Sequence, residues 1–108
     1  MIHELRIYRA MPGKMPALLE RFEHLVLRYW EKHGIRPVGF WTTTIGPSHL
    51  DMYHVLEWQS LEERERKWAA FSSDAEWLAE FKETEREGVI VASLSNAILK
   101  PTSFSKIQ

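Results

Sequence analysis

RPVGFWTTTIGPSHLDMYHVLEW, residues 36–58, is the stretch that decides the architecture. Arg36 to Ile45 is rich in β-branched and aromatic residues (Val38, Phe40, Trp41, Thr42 to Thr44), the side chains that suit a pleated, half-buried strand. Gly46-Pro47-Ser48 has turn chemistry, and Asp51 to Trp58 reads as a second strand. So short a connection predicts a hairpin.

Upstream, Ile2 to Arg9 alternates: His3, Leu5 and Ile7 share one face, and Glu4, Arg6 and Tyr8 share the other. Met11-Pro12-Gly13-Lys14 supplies a turn, after which the period changes to 3.6. Met15, Leu18, Leu19, Phe22, Leu25, Val26, Tyr29 and Trp30 form one broad apolar face, which predicts an amphipathic helix. Pro16 is tolerable in its first turn, and Gly34 stands where a left-handed residue would end it.

Downstream, Ser60-Leu61-Glu62-Glu63 fits a capping box, opening a helix that turns Leu61, Trp68 and Phe71 inward. A second box, Ser73-Asp74-Ala75-Glu76, opens a stretch with Trp77, Leu78 and Phe81 inward. Two helices, or one broken at Ser72-Ser73, fit equally well. Val89 to Leu99 is the last strand, and Lys100 to Gln108 a polar tail. The order β-α-β-β-α-β predicts an α+β, ferredoxin-like split βαβ fold, an antiparallel sheet with both helices on one face. A single domain over residues 1–108 is expected.

Composition narrows the function. The chain has no cysteine, which excludes thiol nucleophiles, disulfides and cysteine-ligated metals. Lys and Arg total 14 against 15 Asp and Glu, so nothing steers the protein toward nucleic acid. No apolar run is long enough to span a bilayer, and Met1-Ile2-His3-Glu4 has no signal-peptide character, so a cytoplasmic location is expected.

Helices on one side leave the other sheet face to water, yet the strands are apolar on both. Strand two puts Val38 and Phe40 on one face and Gly39, Trp41 and Ile45 on the other. Strand three sets Met52, His54, Leu56 and Trp58 against Tyr53 and Val55, and the last strand is apolar throughout Val89 to Leu94 except Ser93. An uncovered apolar face marks an interaction surface. A homodimer, or a higher oligomer, closing two sheets into an α/β barrel is expected; nine tail residues are too few to cover the face instead.

With the elements placed, a resemblance emerges. Glu4-Leu5-Arg6-Ile7-Tyr8 followed by Pro12-Gly13-Lys14 is similar to the start of NIPSNAP domains, members of the dimeric α/β-barrel superfamily. Val38-Gly39-Phe40-Trp41 with Ile45-Gly46-Pro47, His54 followed by Ser60 to Arg64, and Leu99-Lys100-Pro101 with Phe104-Ser105 resemble the rest, in order and over nearly the whole length. Where relatives carry Trp and Tyr two and four residues after the histidine, this chain has Leu56 and Trp58. An Asn that relatives carry before the histidine is absent. The resemblance implies the fold and a dimer, but the superfamily includes cofactor-independent monooxygenases and haem enzymes, so it implies no one reaction.

Seven residues are candidates for a ligand site. Glu4, Arg6 and Tyr8 could form a polar end to an apolar cavity; the plainer reading is a structural ion pair, since buried charges must be paired. His54, on a central strand, could act as acid or base, although such a histidine is more often a satisfied core residue. Tyr8 and His54 are the catalytic candidates. Trp41 and Trp58 could roof a planar ligand, against the commoner use of Trp as core or interface filling. Arg64 could reach the pocket mouth or simply be solvated.

His24, His33 and His49 read as solvated or loop histidines, and no metal-ligand spacing or cofactor motif is present, so neither metal nor cofactor is expected. Three functions stay open: a dimeric protein with a small apolar or aromatic ligand, a cofactor-independent monooxygenase-like enzyme, and a protein-interaction scaffold without ligand. Whether the protein is an enzyme is left undecided by these residues.

Overall fold

In the structure, a computed structural model describing residues 1–108, β1 (Ile2–Ala10) leads through a tight turn into a helical rod. The rod consists of α1 (Met15–Arg21), a π-helical turn (Phe22–Val26) and α2 (Leu27–His33). β2 (Arg36–Thr42) and β3 (Asp51–Trp58) follow, then α3 (Leu61–Ser72), α4 (Ala75–Thr84) and β4 (Val91–Leu99). The sheet is antiparallel throughout, in the order β2-β3-β1-β4. This is the ferredoxin-like α+β arrangement, with the helices packed on one face.

Strand alternation decides what reaches the helices. In the β1–β3 register, Glu4 lies opposite Leu56, Arg6 opposite His54 and Tyr8 opposite Met52, so these side chains share the helix-covered face. There they meet a core drawn from Leu18, Phe22, Val26, Tyr29 and Trp30 of the rod, with Phe71 of α3 and Trp77 of α4. Trp30 and Trp58 are all but fully buried. Truncating either to Ala removes a side chain of the size that typically costs about 3–5 kcal/mol in a core.

The rod ends as the sequence predicts: Gly34 takes φ +71°, a conformation that strains any residue with a Cβ. The π-helical turn is not legible in the apolar periodicity. Leu27 donates its backbone N–H to the carbonyl of Phe22 five residues back, so the segment holds one residue more than an α-helical turn would.

Several details differ from expectation, the first being that β4 begins at Val91 rather than Val89. β2 stops at Thr42, which leaves Ile45 in the loop and almost fully exposed. Within β2 the register slips between Pro37 and Gly39, so Val38 lies beside Trp41 and Val55 rather than sharing the face of Phe40. α4 is capped by Asp74, not Ser73: Asp74 Oδ1 accepts from the backbone N–H of Glu76 at 2.9 Å and of Trp77 at 3.3 Å. Ser73 instead closes α3, donating its hydroxyl to the Ala69 carbonyl at 2.8 Å. The carboxylate wins the cap because Lys32 and His33 also hold it, at 2.8 and 2.7 Å.

On the bare face of the sheet, Val38, Trp41 and Leu99 are exposed, and Leu5, Ile7, Tyr53 and Val55 are half-buried. The tail does lie over one end of it. Lys100, Pro101, Thr102, Ser105 and Ile107 border a hollow with His3, Val38, Trp41 and Val55. Its nine residues shelter that end and leave the rest open. No helix is long and apolar enough to cross a membrane.

Candidate functional site

Between helices and sheet the sequence has placed a charged knot beside an aromatic cavity. The knot centres on Glu4, whose side chain is fully buried. Its Oε1 accepts from Arg64 Nε at 2.8 Å and Trp58 Nε1 at 3.1 Å. Its Oε2 accepts from Arg6 Nη1 and Asn96 Nδ2, both at 2.9 Å, and from Arg64 Nη2 at 3.1 Å. Burial alone would raise the Glu4 pKa and is the largest single influence. The donors from Arg64, Asn96 and Arg6 together outweigh it and hold the carboxyl at about 2.

Arg6 extends the knot toward the cavity. Its Nη2 donates to the Tyr8 hydroxyl at 3.0 Å, and the guanidinium lies 4.5 Å over the Trp68 ring. Because Tyr8 Oη accepts that bond, its own proton is free to be donated elsewhere. Arg6 Nε is buried without a protein partner.

His54 sits across from Arg6 in the sheet, surrounded by the rings of Tyr8, Phe22, Trp30 and Phe40 at centroid distances of 5.1–5.6 Å. It is wholly buried, and neither ring nitrogen has a protein partner. Desolvation, helped by the nearby positive charge of Arg6, lowers its pKa to about 3. The ring is therefore neutral at ordinary pH.

Beside the knot is a cavity of about 210 Å³ lined by ten residues, seven of them aromatic: Tyr8, Phe22, Trp30, Trp68, Phe71, Trp77 and Phe81. Val26, Ser72 and Arg21 complete the wall. Trp30 Nε1 is buried with no protein partner. Phe22 also lines a second hollow of about 310 Å³ with Leu19, Leu27, Phe40 and Met52. Phe22 and Val26, one turn apart in the rod, both line this cavity.

The seven residues picked from sequence divide clearly. Glu4, Arg6, Tyr8, His54, Trp58 and Arg64 come together on the helix-covered face, while Trp41 does not. Phe40 is the register partner of His54, so its neighbour Trp41 points to the bare face. There the indole lies back over Gly39, where an added Cβ would stand 2.8 Å from the ring. Trp58 belongs to the knot and is absent from the cavity wall, so it roofs no ligand there.

Asn96, Trp68, Trp30 and Arg21 are the site residues that sequence reasoning missed. Asn96 was signalled by its register, since it lies opposite Arg6 on β4, but that register depends on the completed sheet. No three His, Asp or Glu side chains converge as metal ligands would. A planar organic group is what the ring-lined cavity suits.

The comparisons with known proteins agree with this architecture. The NIPSNAP family model matches residues 3–106. A NIPSNAP family protein of unknown function from Agrobacterium tumefaciens is 30% identical, with 100% of this chain and 94% of that chain covered and a TM-score of 0.87. A second one from the same organism is 29% identical, with 99% and 98% covered and a TM-score of 0.88. A putative antibiotic biosynthesis monooxygenase from Nitrosomonas europaea, 12% identical with 94% and 98% covered and a TM-score of 0.63, shares the fold alone. No curated protein matches in sequence.

Proposed function

The chain belongs to the NIPSNAP family, and from that premise we propose that it works as a homodimer in which each subunit binds a small aromatic molecule. The observation that carries the ligand reading is the cavity of about 210 Å³ with seven aromatic side chains in its wall. A ring-lined cleft of this size offers an apolar occupant dispersion contacts on several sides.

The dimer reading rests on the bare sheet face, where Val38, Trp41 and Leu99 are exposed beside Leu5, Ile7, Tyr53 and Val55. A second copy presenting the same face would cover it.

Two other functions are weaker. A cofactor-independent oxygenase would ask His54 to take up a proton, yet burial leaves it a poor base with a pKa of about 3. A ligand-free scaffold would be expected to have a sealed interior, and the ring-lined cavity favours the ligand reading over it.

A thermal-shift screen tests the ligand reading. Single- and double-ring aromatics should raise the melting temperature in proportion to occupancy, and the rise should vanish when the cavity is filled by Ser72→Phe. A flat response across a broad aromatic library would sink it.

A further inference from the structure

Among the ten residues of the aromatic cavity, Arg21 is the only charged one. Its side chain is 5% exposed, and it uses one nitrogen: Nη1 donates to Thr84 Oγ1 and to Glu85 Oε2, both at a long 3.3 Å. Nε and Nη2 have no protein partner. Glu85 is only partly committed to the arginine, because the same Oε2 also accepts from the Ile90 backbone N–H at 3.3 Å. The guanidinium lies 4.6 Å over the ring of Phe81, itself a cavity-wall residue. A guanidinium with a free edge, set into a wall of rings and only loosely held by Glu85, is placed to meet a second acidic group.

We propose that the cavity takes a single-ring aromatic carboxylic acid, its carboxylate on Nε and Nη2 of Arg21 and its ring among Phe22, Trp30, Trp68 and Trp77. This rests on the ligand reading above and names its ligand class. Size favours one ring: an apolar cavity of about 150 Å³ is enough for benzene, and this one is about 210 Å³. Charge favours a carboxylate over a phosphate. The free edge offers two parallel donors, the fork that matches two carboxylate oxygens. A dianionic phosphate would bring a third oxygen and a second charge into a wall with no other cation. The Ser72 hydroxyl is not spare, since it already donates to the Trp68 carbonyl at 2.8 Å.

Titration calorimetry of the full chain at pH 7 with benzoate, and separately with neutral benzyl alcohol of similar size, decides the matter. Benzoate should bind about tenfold more tightly than the alcohol. Arg21→Gln should remove that preference while leaving the alcohol within about twofold, and Arg21→Lys should keep part of it. If the alcohol binds and benzoate binds no better, or if Arg21→Gln leaves the ratio unchanged, the acid assignment is overturned while the ligand reading stands. If neither compound binds the wild-type protein, both fall. Should Arg21→Gln lose its circular dichroism, the wild-type ratio together with Arg21→Lys still decides.

Discussion

His54 and Glu4 face each other's strands across a few ångströms and make the protein acid-sensitive in two separate stages. The unfolded chain takes up a proton at His54 near its ordinary 6.5, whereas the folded chain resists until about 3. Between those values the unfolded state binds more protons, so stability falls as pH falls. Glu4 acts in the same direction but later: its folded pKa of about 2 lies below the ordinary 4.5, so its contribution is complete above 4.5 and is lost on the way down to 2. The interval from 6.5 to 4.5 therefore isolates the histidine. In urea unfolding across that interval, the wild-type protein should lose on the order of 1 kcal/mol per pH unit through this group. His54→Phe, which keeps a ring among Tyr8, Phe22, Trp30 and Phe40, should flatten that slope; an unchanged slope would mean His54 is solvated. Glu4→Gln should cost about 3 kcal/mol at pH 7, because Arg6 would be left as a buried charge without its carboxylate.

At the scale of elements, the caps and the rod show what a sequence discloses and what it withholds. Strand faces were legible because alternation is a local property: Glu4, Arg6, Tyr8 and His54 could be assigned to a side from spacing alone. The long apolar stripe from Met15 to Trp30 was legible for the same reason, as was its stop at Gly34. The π-helical turn was not, since the same stripe satisfies an α-helix. The bulge at Val38 and the part played by Asn96 were hidden likewise, because each depends on a neighbouring strand's register. Arg21 read as one more polar residue between apolar ones; only the approach of α4 buries it. The α4 cap is a near miss with a direct test. Asp74→Ala should lower the urea midpoint clearly more than Ser73→Ala does, since it removes the cap together with the contacts to Lys32 and His33. Equal effects would restore Ser73 as the cap.

For the whole molecule, the sheet has more apolar surface than its helices can shelter. A monomer of 12.8 kDa should therefore be the minor species in solution. Light scattering should return twice that mass, and the melting temperature should rise with protein concentration, as it does when folding and association are linked. Val55→Asp on the bare face, remote from the knot and the cavity wall, should shift the mass toward the monomer while aromatic ligands still bind. A monomeric wild-type protein at micromolar concentration would refute the dimer and leave the cavity proposal untouched.

The surplus residue in the rod has an evolutionary reading as well. A homologue whose rod is α-helical throughout would need one position fewer between residues 22 and 26, and would reveal itself in an alignment by a single-residue gap there. With one residue fewer, such a homologue would keep its counterparts of Arg21 and Phe22 in phase with the rest of the rod, whereas an α-helical rod of unchanged length would turn them about a hundred degrees round the helix axis. The ungapped, fully α-helical relative is the one whose pocket would differ.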